Sequence, residues 1–119
     1  MRGDDVVRVR HMIDAAEAVA SFIAGRDRTH LTTDRMLLFA VVRAVEVLGE
    51  AAARTSPETR AASPDVPWTA IVGMRNRLIH GYFDVDADIV WTTATTELPD
   101  LLPRLRRLIG LEDSETPKS

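Results

Sequence analysis

Apolar residues step through this chain by threes and fours and nowhere settle into alternation. Met12, Ala16, Val19 and Ile23 form one stripe. Leu37, Val41, Ala44, Leu48 and Ala51 form a second, and Leu98, Leu101, Leu102, Leu105, Leu108 and Ile109 a third. That step matches the roughly 3.6-residue turn of a helix, so each stripe buries one helical face. Aromatic residues make up only 5% of the 119 residues. The core must then come from Leu, Ile, Val, Ala and Met, a palette that suits helix packing better than sheets. Hydrophobic residues at 45% and charged residues at 28% give a globular balance, at a length that suits one domain. The expected fold is all-α, an antiparallel four-helix bundle with a bent last helix. It forms a single domain over residues 1–111, followed by a polar tail, residues 112–119, expected to be disordered.

Local punctuation places the helices. Asp4 and Asp5 supply N-terminal carboxylates to a first helix that Gly25 ends, leaving residues 25–31 as a polar turn. The second helix opens at Thr32 or Thr33 and runs to about Arg54, with Arg43, Glu46 and Glu50 on its other side. Gly49 sits inside it, at a cost of about 1 kcal/mol relative to Ala. A helix tolerates that cost where another backbone must come close. Residues 55–66 carry Pro57 and Pro64 and read as a loop with room for one helical turn. A third helix starts at Pro67, whose missing N–H is no loss in a first turn, and extends to about Phe83. Asp84 or Asp86 caps a fourth, which Pro99 and Pro103 must kink or interrupt before it ends near Leu111.

Composition removes several classes of chemistry. The chain has no cysteine, which excludes disulfides, thiolate catalysis and Cys-ligated zinc. His11, His30 and His80 lie far apart, so no His-rich metal site and no cofactor are expected. A net charge of -3 argues against a broadly basic nucleic-acid binder but leaves room for a local cationic site. No apolar run approaches membrane-spanning length and no signal-type apolar region opens the chain, so the expected location is the cytoplasm.

The densest chemistry lies at residues 75–82, Arg-Asn-Arg-Leu-Ile-His-Gly-Tyr. On a continuous helix from Trp68, Arg75 falls at about 340°, inside the apolar arc of Ile71, Val72, Met74, Leu78, Ile79, Tyr82 and Phe83. Arg77 falls on the opposite, solvent side. Asn76 and His80 lie one turn apart on the flank of the arc. A guanidinium among apolar neighbours needs an anionic partner. Glu46 or Glu50 could supply one, as an ion pair tying two helices. Alternatively Arg75 lines a cleft and holds a phosphate through its planar fork. His80 has the side chain best suited to proton transfer near neutral pH, and Asn76 could orient it. Tyr82 reads as a core aromatic with its hydroxyl reaching water. His11 and His30 read as surface residues.

This set can cleave RNA without a metal. The 2′-hydroxyl is a built-in nucleophile, so the protein need supply only proton transfer and positive charge for the phosphorane-like transition state. One His and one Arg cover part of this, and two copies across a symmetric dimer cover all of it. The alternative is a non-catalytic helical dimerisation module whose cleft binds a nucleotide or a partner; a third reading is a purely structural bundle.

The segment resembles the R-x4-H-x-Y signature of the HepT-like toxins of the HEPN superfamily. The resemblance extends to residues 67–74 before it, to residues 83–86 and 89–91 after it, to Leu98-Pro99, and to residues 47–51, covering roughly residues 4–111. It implies a HEPN-type helical bundle that dimerises with its motifs facing a shared cleft. It implies a ribonuclease toxin of a type VII toxin–antitoxin system, with Arg75, Asn76 and His80 as its catalytic residues. It also implies, as partner, an MntA-type minimal nucleotidyltransferase antitoxin that transfers AMP from ATP onto Tyr82. Phosphate charge and adenine bulk at that position would repel RNA.

Overall fold

A computed structural model describes residues 1–80 and 84–111 of the chain, and of His80 the backbone alone. It is an all-α bundle. The long first helix, α1 (Gly3–Ile23), carries Asp4 and Asp5 in its first turn and buries Val9, Met12, Ile13, Ala15, Ala16 and Val19. Gly25, at φ 73°, turns the chain out of it in the left-handed conformation that glycine adopts at least cost. A short turn, α2 (His30–Thr33), precedes α3 (Arg35–Arg54). The start expected at Thr32 or Thr33 is therefore corrected. Asp34 is the cap, its side chain accepting the Leu37 N–H at 3.1 Å, and it separates the two helices.

α3 is the central element, and α1 packs along its length. Its buried residues include Leu37, Val41, Val42, Val45, Leu48, Ala51 and Ala52, a wider face than the sequence stripe. The loop expected at residues 55–66 contains the anticipated helical turn, α4 (Pro57–Ala62), capped by Ser56. Asp5 of α1 reaches across to this cap. Its carboxylate, on a residue only 3% exposed, accepts from the Ser56 N–H at 2.9 Å, the Ser56 hydroxyl at 2.6 Å and the Thr59 hydroxyl at 2.5 Å. Chiefly the Ser56 hydroxyl, then Thr59 and the Ser56 amide, pull the Asp5 pKa from its ordinary 3.8 down to about 2.

The expected third helix is corrected in two places. It begins at Trp68, one residue after Pro67, and Gly73 divides it into α5 (Trp68–Val72) and α6 (Met74–Leu78). It then ends at Leu78, not Phe83. Ile79 takes extended torsions, and β1 (Ile79–His80) pairs antiparallel with β2 (Asp84–Val85), Ile79 opposite Val85 and His80 opposite Asp84. The Asp86 N–H adds a bond to the Leu78 carbonyl at 2.9 Å. An antiparallel pair of two-residue strands thus stands where periodicity alone predicted another helical turn, and β-branched Ile79 and Val85 suit it.

Asp86 caps α7 (Ala87–Thr92), accepting from the Asp88 and Ile89 N–H groups, as one of the two expected caps. A π-helical turn, Thr93–Glu97, leads into α8 (Leu98–Leu108), which carries Pro99 in its first turn and Pro103 inside. The predicted interruption is this wide turn. Pro99 has no N–H to return to the preceding turn. α8 lies against α1, where Arg106 pairs with Glu17 at 2.8 Å. One hydrophobic cluster joins all the long helices. Gly49 of α3 packs against α5, and a Cβ there would lie 3.3 Å from the Ile71 carbonyl oxygen. The close backbone approach expected at that glycine is thereby found.

Candidate active site

α6 is fixed from below and open above. Met74 and Leu78, one turn apart, are buried, whereas Arg75, Asn76 and Arg77 between them are exposed. Three consecutive polar residues on a helix fan across about 200°. They make a ridge whose two ends turn to different neighbours.

Arg75 turns towards α3. Its Nε donates to Glu46 Oε2 at 2.7 Å, and the other oxygen of that carboxylate lies 3.6 Å from Arg43. The expected helix-to-helix ion pair is present, with Glu46 as the partner. Glu50, a turn further along, is exposed and pairs with neither arginine. Arg75 does not sit inside the apolar arc, since its side chain is 53% exposed. The apolar arc of a continuous helix is too wide. Val72 is itself 40% exposed, so the buried arc narrows to Trp68, Ile71, Met74 and Leu78, with Arg75 on its rim. Because the bond uses Nε, the terminal nitrogens of Arg75 remain for an anion.

Arg77 turns the other way, as the solvent-side placement required, but it does not stand alone. A terminal nitrogen donates to Glu97 Oε1 at 2.9 Å, across to the π turn. Asn76 and Arg77 together line a groove of about 500 Å³ with Asp88, Ile89, Thr92 and Glu97. Asp88 in turn pairs with Arg28. Sequence reasoning missed Glu97, Asp88 and Arg28. Their pairings cross 20 to 60 residues of chain, and no local pattern signals them.

The one-turn relation of Asn76 and His80 does not survive, because the helix ends between them and His80 belongs to β1. Three residues of chain, Arg77, Leu78 and Ile79, separate the two positions. Tyr82, the expected modification site, lies outside the described residues, as do residues 112–119. His11 is exposed, and His30 opens α2, its Nδ1 accepting the Asp27 N–H at 3.0 Å. Among the described residues no helix is long and apolar enough to cross a membrane.

Comparison with known proteins places this arrangement. Residues 12–108 match the family described as "Ribonuclease HepT-like". A protein of Caldanaerobacter subterraneus subsp. tengcongensis named as a candidate RNase is 33% identical over 104 residues, covering 87% of this chain and 93% of that relative. Another so named, from Methanocaldococcus jannaschii, is 33% identical over 90 residues, covering 76% and 83%. A Thermococcus cleftensis protein named "Probable ribonuclease HepT" is 36% identical over 75 residues, covering 63% and 68%. No solved structure matches significantly. The match contains the whole of α3, the arginine ridge and the π turn, and the chain belongs to the HepT-like ribonucleases of the HEPN superfamily, an endoribonuclease family that acts on RNA.

Proposed function

We propose that this chain is the toxin of a type VII toxin–antitoxin system, a metal-independent endoribonuclease whose catalytic residues are Arg75, Asn76 and His80. The observation that carries the reading is the posture of Arg75. It is exposed on a helix that Met74 and Leu78 anchor in the core, and Glu46 holds it through Nε, which leaves its outer fork for a phosphate. The family match over residues 12–108 includes every residue of the motif.

In the proposed step the imidazole of His80 removes the proton of the RNA 2′-hydroxyl. That oxygen attacks the adjacent phosphorus, the bond from phosphorus to the 5′-oxygen breaks, and an imidazolium returns a proton to the departing oxygen. The products are a 2′,3′-cyclic phosphate and a 5′-hydroxyl. Arg75 neutralises charge growing on the phosphoryl oxygens, and Asn76 orients the reacting group. One chain supplies one imidazole, so a homodimer with facing motifs supplies both base and acid. A minimal nucleotidyltransferase antitoxin of the MntA type silences the site by transferring AMP to Tyr82, and the system works in the cytoplasm.

The purified chain should cut single-stranded RNA in EDTA, and His80→Ala should not. Loss of cutting in EDTA, or equal cutting by His80→Ala, overturns the mechanism. Incubation with the nucleotidyltransferase and ATP should add one or more AMP units to the wild-type chain and none to Tyr82→Phe. Modification of Tyr82→Phe to the same extent rejects that part of the proposal.

A further inference from the structure

The proposed cleavage step leaves the groove between α6, α7 and the π turn without a role. Its ion pair differs from the neighbouring one in the guanidinium edge it uses. Arg75 gives Glu46 its Nε, but Arg77 gives Glu97 a terminal nitrogen. A phosphate takes the same outer fork of an arginine that a carboxylate takes. Glu97 therefore occupies the place where a phosphate would bind Arg77. The two side chains are 45% and 33% exposed, so solvent screens the pair and an incoming anion can displace it. Beside it the groove offers partly buried Ile89 as an apolar surface and Thr92 as a hydrogen-bonding group, in a space of about 500 Å³.

We propose that this groove is a nucleotide subsite of the ribonuclease. Arg77 clamps a second backbone phosphate further along the strand held by Arg75, a base between the two packs against Ile89, and Glu97 is an internal competitor that RNA displaces. Arg75 and Arg77 leave α6 about 200° apart with Asn76 between them, so a strand crossing the ridge meets the three in order. The occupant is single-stranded RNA because continuity with Arg75 requires it, and the inference rests on the reading of Arg75 as a phosphate ligand. A structural ion pair and a phosphate clamp make opposite demands. If the pair only holds helices together, its two residues are equivalent. If Arg77 binds phosphate, removing either partner changes RNA affinity in opposite directions.

The test measures binding of a fluorescent single-stranded RNA oligonucleotide, 2′-O-methylated at every position, to the full chain by anisotropy. Such an oligonucleotide lacks the nucleophile, so its binding reads out independently of cutting. Arg77→Gln should weaken Kd by about tenfold. It should also lower the slope of log Kd against log salt by about 0.7, one phosphate contact on a single strand. Glu97→Gln should tighten Kd several-fold and so keep the proposal testable even if Arg77→Gln folds poorly. The subsite is refuted if the two substitutions shift Kd in the same direction or leave it unchanged. If they shift it oppositely while the wild-type chain fails to cut unmodified RNA, the subsite stands and the catalytic reading of His80 falls.

Discussion

Gly49 joins the fold to the site, and its replacement separates two opposing effects. In the middle of α3, alanine gains about 1 kcal/mol over glycine in helix propensity. Against this, the new Cβ lies 3.3 Å from the Ile71 carbonyl oxygen and 3.7 Å from that of Val72, both backbone atoms. A contact a few tenths of an ångström too tight costs about as much as the propensity gain, so Gly49→Ala should melt within about 4 °C of wild type. Valine adds two methyl groups beyond that Cβ. Overpacking of this kind costs about 1–3 kcal/mol, so Gly49→Val should melt about 4–12 °C lower. The displaced element is α5, and only Gly73 separates it from the arginine ridge. Gly49→Ala should therefore slow RNA cleavage several-fold while barely changing stability, because catalytic groups tolerate little misplacement. Circular-dichroism melts paired with cleavage rates test both parts. A Gly49→Val protein as stable and as active as wild type refutes the claim that backbone contact at Gly49 positions the site.

Three further outcomes follow from named contacts. The lowered pKa of Asp5 means that its bonds to Ser56 and Thr59 stabilise the chain above the ordinary carboxylate range and are lost as pH falls from about 4 towards about 2. The melting difference between wild type and Asp5→Asn should thus be constant above pH 5 or so and shrink below it; a pH-independent difference contradicts the assignment. Glu46→Gln should move the melting temperature by no more than about 4 °C, since a half-exposed pair is worth about 0–1 kcal/mol, yet lower cleavage by loosening Arg75. Unchanged cleavage counts against a positioning role. Ile71→Ala removes a side chain with no exposed surface and should cost about 2–5 kcal/mol, read by urea unfolding. A smaller loss means α5 is less firmly packed than the contacts indicate.

The sequence carried the helices well because each long one has its own periodic face. Val41 and Leu48 on α3, and Leu98, Leu101 and Leu105 on α8, are buried where their spacing puts them. Gly49 could be read as a close approach because a helix has no other use for an interior glycine. The motif was harder, since a helical wheel assumes the helix continues. Gly73 divides the helix, and the extended torsions at Ile79 go with its pairing to Val85, a contact no periodicity reports. A continuous-helix wheel therefore sets Arg75 too deep and Asn76 too close in register to His80. Glu46 was foreseen because it lies on the facing side of α3. Glu97 was not, because only the tertiary path of the π turn brings it to Arg77.

The chemistry of the new RNA ends tests the central claim most directly. Cleavage by 2′-hydroxyl attack leaves a 2′,3′-cyclic phosphate on one fragment and a 5′-hydroxyl on the other. Mass spectrometry of a single-stranded oligonucleotide cut by the purified chain in EDTA should show those ends, and a single 2′-O-methyl group at the cut site should abolish them. A 3′-hydroxyl paired with a 5′-phosphate, or undiminished cutting at the methylated site, would contradict the account.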